Sequence, residues 1–250
     1  MTAQTSPRVL IIGANSAIAS ALARRYAGRG ARLLLLGRRA DALQAAAADL
    51  RVRGAAEVGI ELFEADAVDQ HPALLARAWA RWQGLDIALV AHGVLPDQAA
   101  AQASATVAVA SFDTNARSVL SLLTTLANQF EAQGSGVIGV ISSPAGDRGR
   151  ASNYVYGAAK AAVTTLCSGL RHRLHRSGVR VLTILPGFVD TPMTAGLPKG
   201  PLWAQPERVA ADIEHALASR NGTLYTPWFW RWIMLIVLNL PQALLLRSKL

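Results

Sequence analysis

The sequence predicts one α/β domain built on a doubly wound parallel sheet. Short apolar runs alternate with longer helical patterns along most of the chain, as expected when crossover helices join parallel strands. The first apolar run ends in a glycine that opens a helix, and this strand–turn–helix unit is typical of dinucleotide-binding sheets. With 250 residues, the chain is long enough to enclose one full core.

Composition narrows the classes of partner. Apolar residues make up 52 % of the chain and the mean hydropathy is +0.26, which is high for a globular protein. A formal charge of +9 suits phosphorylated ligands or anionic lipid. Neither zinc-finger spacing nor interleaved basic and aromatic residues occur, so we expect no nucleic-acid partner. Cys167 is the only cysteine; we expect it to fill core space, and we expect no metal site.

The first unit runs from an apolar strand at 8–12 through Gly13 into a helical pattern that reaches Tyr26. Free backbone N–H groups at a helix N-terminus bind phosphate, and a glycine permits the close approach of a pyrophosphate. We therefore expect a dinucleotide to contact Gly13, Asn15, Ser16, Ala17 and Ile18. The alternative is a signal peptide at 9–23, which the weak basic segment before it and the following strand disfavour.

The second strand, at 31–36, is followed by Gly37, Arg38 and Arg39. Sites that prefer NAD usually place an acid here, against the ribose 2′-hydroxyl. Arginine instead suits a 2′-phosphate, so the pair predicts NADP(H) in preference to NAD(H). The alternative is a solvated basic turn.

Two further strand ends carry candidate cofactor residues. The next elements are a helix at 41–53 and strands at 57–64 and 85–90. Asp66 follows the third strand, where a carboxylate can bond the adenine amino group or instead cap a helix. Ala91 and Gly93 follow the fourth strand, and small residues there let the backbone approach the cofactor. We interpret His92 as a bystander beside the ribose.

Candidate catalytic residues follow a long Ala-rich helical region. That region contains Asn115, which either holds a water molecule or is an ordinary core amide. The next predicted elements are a strand at 137–141 and a helix from Tyr154 to about His175. Ser143 lies just beyond the strand, where its hydroxyl can hold a substrate oxygen.

Tyr156 and Lys160 are four residues apart and therefore share one face of the predicted helix. A nearby ammonium favours phenolate and lowers a tyrosine pKa from about 10, giving an acid that can protonate an alkoxide. The alternative is a surface helix with an incidental tyrosine and lysine. The sixth strand, at 179–185, then leads into a loop at the carboxyl edge of the sheet, where open α/β sheets bind ligands. Its candidate cofactor residues are Pro186, Gly187, Val189 and Thr191.

Together these residues resemble the short-chain dehydrogenase/reductase family over about residues 8–220. The matching positions are Gly13, Ala17, Ala19, Asp66, Ala91, Gly93, Asn115, Ser143, Tyr156, Lys160, Pro186 and Gly187. One departure is that Ala17 and Ala19 replace the second and third glycines of the family's motif. Alanine at a helix start is sterically mild, so we expect cofactor binding to survive.

The resemblance implies a Rossmann-like fold, a dimer or tetramer, and hydride transfer at a carbonyl. Tyr156 would be the acid, and Lys160 would lower its pKa and hold the nicotinamide ribose. Ser143 would orient the carbonyl, and Asn115 would maintain a proton relay. The cofactor carboxamide would contact Val189 and Thr191.

A narrower resemblance is to the decaprenylphosphoryl-2-keto-erythro-pentose reductases. It is carried by SNYVYGAAK (152–160), PGFVDTPM (186–193) and the C-terminal tail. Those proteins reduce a 2-keto group on a polyprenyl-phosphate-linked pentose, so the resemblance implies a lipid-linked or lipophilic keto substrate and a partner oxidase. The alternatives are another lipophilic ketone, such as a fatty acyl or steroid-like one, and a non-catalytic nucleotide-binding protein. An intact Ser143, Tyr156 and Lys160 set disfavours the last.

The tail is nearly all apolar from Trp228 to Leu246, with three tryptophans at its start. Tryptophan suits a membrane interface, whereas Pro241 and the polar breaks favour an interfacial helix over a membrane span. The alternative is a core or oligomer-interface helix. We therefore expect a reductase domain at 1–226, an apolar segment at 227–250, and a cytoplasmic location on the inner face of the cell membrane.

Overall fold

One parallel sheet of seven strands organises the computed structural model, which describes residues 6–247. The strands are β1 (Arg8–Ile12), β2 (Arg32–Gly37), β3 (Glu57–Leu62), β4 (Ile87–Val90), β5 (Gly136–Ile141), β6 (Val179–Pro186) and β7 (Gly222–Thr226). Their order across the sheet is β3-β2-β1-β4-β5-β6-β7, and every neighbouring pair is parallel. The predicted doubly wound α/β fold is confirmed.

Helices connect the strands and cover both faces of the sheet. Within the described residues they are α1 (Ala17–Ala27), α2 (Ala40–Val52), α3 (His71–Ala80), α4 (Gln98–Ala103), α5 (Ala105–Phe112), α6 (Ser118–Gln133), α7 (Tyr154–Leu174), α8 (Pro206–Ser219), α9 (Trp230–Asn239) and α10 (Gln242–Arg247). Residues 1–5 and 248–250 of the two predicted segments lie outside the described range.

Both faces of β1 are buried because helices cover the sheet on each side. Val9 and Ile11 pack in the apolar layer that includes α1, α2 and α8, whereas Leu10 and Ile12 pack in the layer of α3, α6 and α7. The strand therefore reads as a continuous apolar run rather than an alternating one. Cys167 is buried in the second layer, as expected of a core-filling side chain.

The Ala-rich region forms three helices rather than one. Asp97 accepts backbone N–H bonds at the start of α4, and Ser104 accepts one from Val107 at the start of α5. Such caps favour a new helix start over continuation of the preceding one. Between α5 and α6 the chain makes a π-helical turn at Asp113–Arg117, which contains Asn115.

The tail forms two short helices instead of one long one, since the chain breaks between α9 and α10 at Leu240 and Pro241. Trp230, Met234 and Val237 form a small buried cluster on the inner face of α9. Trp232 and Ile236, on the outer face, are exposed. None of the helices within residues 6–247 combines the length and apolar character needed to cross a membrane.

Candidate active site

The predicted ligand residues collect at one edge of the sheet because parallel strands end there together. Strand order reverses between β1 and β4, with β2 on one side and β5 on the other. The crevice outside the carboxyl ends of strands at such a reversal is where open α/β sheets bind ligands. Successive strand ends are followed here by Gly13, Arg38, Asp66, Ala91, Ser143 and Gly187.

The turn after β1 fits a phosphate group. Gly13 has a φ of 85°, and a Cβ there would stand 2.5 Å from the backbone nitrogen of His92, so only glycine fits. Ser16, at the N-cap of α1, makes no capping side-chain bond, and the first turn carries no acidic residue. The first N–H groups and the positive end of the α1 dipole thus remain available to an anion.

Other predicted cofactor residues flank this turn. Ala17 begins α1, and Ile18 is buried in the core beneath it. The side-chain oxygen of Asn15 lies against Gly37, where a Cβ would stand 2.6 Å from it. Asn15 thereby connects the turn after β1 to the turn after β2.

Arg38 and Arg39 are exposed at the end of β2. Neither side chain makes an ion pair or a hydrogen bond with the part of the chain that the structure describes. Two guanidinium groups that are unpaired within residues 6–247 thus stand near the turn after β1, where they are available to an anion.

Asp66 and Gly93 both lie against residues of the π-helical turn. The carboxylate of Asp66 is exposed and accepts a hydrogen bond from Thr114 Oγ1 at 3.0 Å. Ala91 is buried, and Gly93 lies where two catalytic candidates meet. A Cβ on Gly93 would stand 2.8 Å from Asn115 Oδ1 and 3.5 Å from Lys160 Nζ, so glycine keeps that space open.

His92, between these small residues, is held in one tautomer. Ser118 donates its hydroxyl hydrogen to the carbonyl of Thr114, so its oxygen accepts from His92 Nε2–H at 2.7 Å. Burial lowers the pKa of His92 to about 3. The imidazole is therefore neutral near pH 7, which makes it a poor candidate for an acid.

The catalytic candidates come together at the end of β5. Ser143 Oγ accepts the backbone N–H of Ala145 at 3.1 Å, and its hydroxyl also bonds the phenol of Tyr156. Lys160 Nζ donates to the carbonyl oxygen of Ile141 at 3.1 Å and lies 5.6 Å from the ring centroid of Tyr156. The structure thus places hydroxyl, phenol and ammonium at one strand end.

The pKa of Tyr156 is raised to about 12, in the direction opposite to the one we expected. Burial of the phenol is the largest cause, and a hydrogen bond with Ser143 only partly opposes it. Burial also lowers the pKa of Lys160 to about 8. Helical spacing alone predicted the lysine's proximity but not the desolvation that outweighs it. Without ligand, Tyr156 is a fully protonated acid near neutral pH.

Asn115 is fully buried, and its side chain is engaged on both sides. Its Nδ2 donates to the carbonyl oxygens of Val94 and Ser111, both at 2.9 Å, and its Oδ1 accepts the N–H of Val94 at 3.0 Å. These bonds fix the segment after β4 against the π-helical turn. The side chain of Asn115 therefore fixes the backbone around Val94 and Ser111.

The loop after β6 carries the remaining cofactor candidates. Pro186 ends the strand, and Val189 is buried. Thr194 donates its hydroxyl to the carbonyl of Val189 at 2.6 Å and accepts the backbone N–H of Thr191 at 3.2 Å. These bonds order the loop that the sequence predicted to face the cofactor carboxamide.

The sequence did not predict that the tail also packs on the candidate site. Arg148 donates to the carbonyls of Val237 and Leu238 at the end of α9. In β7, just before the tail, Tyr225 donates its hydroxyl to Asp147 at 2.8 Å. Asp147 and Arg148 lie on the loop between Ser143 and Tyr156. No sequence signal marks these contacts, because Asp147 and Arg148 lie on an irregular loop and their partners in β7 and α9 are far away in the chain.

Sequence comparison decides the family. The profile described as short chain dehydrogenase matches residues 7–201. The chain belongs to the short-chain dehydrogenase family. An uncharacterized oxidoreductase of Mycobacterium tuberculosis is 42 % identical over 234 residues, covering 94 % of each chain. One from Streptomyces coelicolor is 36 % identical over 242 residues, covering 96 % of this chain and 94 % of its own.

Solved structures agree on the fold of this short-chain dehydrogenase. Levodione reductase has a TM-score of 0.80 at 23 % identity, covering 90 % of this chain and 98 % of its own. A variant actinorhodin polyketide ketoreductase with NADPH has a TM-score of 0.79 at 24 % identity. The match covers 90 % of this chain and 97 % of the ketoreductase chain. The protein is thus an oxidoreductase whose fold is one that binds a nicotinamide cofactor, and the residues at its sheet edge fit such a group.

Proposed function

We propose that this short-chain dehydrogenase is an NADP(H)-dependent reductase that converts a keto group to an alcohol. The substrate we favour is the 2-keto group of a polyprenyl-phosphate-linked pentose. The observation that carries the reductase assignment is the convergence of Ser143, Tyr156 and Lys160 at the end of β5, beside Asn115. The cofactor supplies the hydride that reduces the carbonyl carbon.

Each side chain has a role that its contacts support. Ser143 Oγ accepts from Ala145, so the hydroxyl hydrogen that now bonds Tyr156 can turn to the carbonyl oxygen of the substrate. Tyr156 gives its proton to that oxygen as negative charge develops there. Its raised pKa ensures that the proton is present, and the ammonium of Lys160 offsets the charge left on the phenolate.

NADP(H) is preferred over NAD(H) because Arg38 and Arg39 have no partner among the described residues. Both follow the end of β2, where the adenosine ribose of the cofactor would bind. Val189 and Thr191 contact the carboxamide, and Asp66 bonds the adenine. Asn115 holds the segment after β4 in the arrangement that the proton relay needs.

The narrower substrate class rests on the resemblance of residues 152–160 and 186–193 and on the apolar tail. We propose that residues 1–226 form the reductase domain and that 227–250 hold it on the cytoplasmic face of the cell membrane. A lipid-linked substrate keeps its chain in the bilayer, so a tethered enzyme avoids extracting that chain into water.

A homo-oligomer and a partner oxidase that produces the ketone complete the proposal. Another lipophilic ketone is the second candidate, favoured by the same exposed apolar side chains.

Tyr156→Phe tests the assignment. The variant should lose about 100-fold to 10,000-fold in turnover while binding NADPH normally, because only the hydroxyl is removed. Tyr154→Phe is the matched control, since Tyr154 is exposed on the same helix turn and should keep full activity. NADPH oxidation is followed with a panel of ketones that includes a polyprenyl-phosphoryl 2-keto pentose. Undiminished turnover by Tyr156→Phe would refute the catalytic role, and preference for a steroid or acyl ketone would favour the second candidate.

A further inference from the structure

Arg150 carries a guanidinium that has no ion-pair partner among the described residues. It lies on the loop that joins Ser143 to Tyr156, and its Nε is buried without a hydrogen-bond partner among residues 6–247. Burial lowers the pKa of Arg150, and the nearby charge of Asp147 only partly opposes this. Partial burial of a cation is unfavourable unless an anion pairs with it, so this arginine is suited to a ligand.

The charged neighbours of Arg150 are already engaged elsewhere. Asp147 accepts the hydroxyl of Tyr225 at 2.8 Å and makes no ion pair with Arg150, and burial raises the pKa of this carboxyl. Arg148 donates to carbonyls at the end of α9, including that of Leu238 at 3.1 Å. Arg148 therefore bonds the tail, whereas Arg150 has no such bond within the described residues.

Asn153 adds a second unpaired polar atom on the same loop. Its Oδ1 is buried without a partner in the described residues, although Asn153 stands at the N-cap position of α7 where such an oxygen commonly bonds the backbone. Its backbone N–H donates to the carbonyl of Arg150 at 3.1 Å, so the two residues share one turn. Their side chains do not bond each other, which leaves one buried donor and one buried acceptor on the same turn.

The loop is held tightly beside the catalytic tyrosine. A Cβ on Gly146 would stand 2.5 Å from the backbone nitrogen of Ala161, and one on Gly157 would stand 2.7 Å from the carbonyl oxygen of Ala145. The turn before α7 therefore packs directly on the first turns of that helix. The segment that carries Arg150 and Asn153 joins this turn to the first residues of α7, and Asn153 lies three residues before Tyr156.

We propose that Arg150 and Asn153 form a substrate subsite for a phosphate group and an adjacent hydroxyl. The planar guanidinium matches the paired oxygens of a phosphate, and Asn153 Oδ1 accepts a hydrogen bond from the hydroxyl. This inference rests on the proposed function, because it places the subsite beside the proposed acid. It assigns the substrate to hydroxylated, phosphate-bearing ketones and disfavours neutral steroid-like ones.

Ligand titrations without turnover test the subsite. D-ribose 5-phosphate is the probe, D-ribose its uncharged counterpart, and saturating NADPH fills the cofactor's own phosphate sites. The wild type should prefer the phosphorylated sugar, and Arg150→Met should weaken its binding by about tenfold to a hundredfold, as expected for loss of a charge-assisted pair. Arg150→Lys should fall in between, because it keeps the charge but loses the planar fork. Asn153→Ala should weaken binding of both sugars.

Matched controls separate the subsite from general charge and from folding. Arg176→Met removes an exposed arginine beyond the far end of α7 and should leave both affinities unchanged. Arg150→Met should not lower the unfolding temperature of the ligand-free protein, since it removes a half-buried cation that is unpaired within residues 6–247. Equal ribose 5-phosphate affinity in wild type and Arg150→Met would overturn the proposal. So would an effect of Arg150→Met seen only with phosphatidylglycerol vesicles, which would make the anion a lipid headgroup.

These titrations are independent of the reductase assignment. If Tyr156→Phe keeps its turnover while Arg150→Met loses sugar-phosphate binding, the catalytic assignment fails and the subsite stands. If Tyr156→Phe loses turnover and Arg150→Met binds normally, the subsite fails alone.

Discussion

The indole ring of Trp230 fills the space beside Gly187, so that a Cβ on Gly187 would collide with the ring. Trp230 is buried, and its ring also meets the edge of Phe188 with centroids 5.4 Å apart. Phe188 in turn stacks on Trp203 at 5.5 Å. The apolar tail is therefore packed against the loop that follows β6, next to the candidate active site.

Gly187→Ala tests whether this contact holds the tail in place. Overpacking of a filled site commonly destabilises a protein by about 1–3 kcal/mol, so the substitution should lower the thermal midpoint and expose the tail to protease. Gly196→Ala is the control, because nothing lies within 4 Å of a Cβ at Gly196. Combining Gly187→Ala with Trp230→Ala should be less destabilising than the sum of the two single changes. Additive effects, or an unchanged midpoint for Gly187→Ala, would contradict the packing argument.

The stability of the fold should depend on pH through Lys160. Burial lowers the pKa of Lys160 to about 8, whereas an unfolded lysine titrates near 10.4. Below pH 8 the lysine is protonated in both states, and the penalty for its burial is present in full. Between about pH 8 and 10 the folded protein releases this proton first, so the penalty shrinks as pH rises.

The stability of Lys160→Met relative to the wild type, taken as the difference in free energy of unfolding, should consequently decline from pH 7 to pH 10, by up to about 3 kcal/mol. Urea unfolding at the two pH values measures the difference. Lys199→Met, at an exposed lysine, is the surface control for removal of a lysine side chain. An advantage of Lys160→Met that grows with pH would have the wrong sign.

Replacing Arg38 and Arg39 together with alanine should weaken NADPH binding far more than NADH binding. Charge-assisted bonds contribute about 1.5–3 kcal/mol, so the loss for NADPH should be roughly tenfold to a hundredfold. Arg32→Ala is a suitable control, since Arg32 is also exposed but begins the same strand at the opposite edge of the sheet. Tighter binding of NADH than of NADPH by the wild type would show that the two arginines are only a solvated turn.

Local sequence pattern was sufficient to predict most strands and the chemistry at their ends. Apolar runs such as residues 9–12 predict buried strands. The residues that follow these runs lie at one edge of the sheet because parallel strands end there together. β7 was missed, since GTLYT is short and largely polar and joins the sheet only through its pairing with β6. The roles of the catalytic and cofactor residues stay predictions.

Long-range packing explains what the sequence could not show. The contact of Trp230 with Gly187 and the hydrogen bond of Tyr225 to Asp147 join segments far apart in the chain. The direction of the Tyr156 pKa likewise depends on burial, which helical spacing does not reveal. The buried Nε of Arg150 likewise lacks a hydrogen-bond partner among residues 6–247, and only the folded structure shows this.

The outer face of α9 gives a sharp test of membrane association. Trp232, Leu235 and Ile236 are 57 %, 51 % and 69 % exposed, while Met234 between them is buried. Truncation of the whole tail would also remove the packing of Trp230, so its effects on binding and on stability could not be separated. Substitutions confined to the exposed side chains avoid this problem, because they leave the inner face of the helix intact.

The triple variant Trp232→Gln, Leu235→Gln and Ile236→Gln should abolish flotation with phosphatidylglycerol liposomes while the thermal midpoint and NADPH binding stay unchanged. Loss of three interfacial apolar side chains removes the buried area that holds a helix in the headgroup region. Val52→Gln with Leu62→Gln is the control, since these residues are 89 % and 61 % exposed but lie outside the tail. If the wild type does not float, and the triple variant instead dissociates an oligomer on size exclusion, then the outer face of α9 binds another subunit and the membrane proposal is wrong.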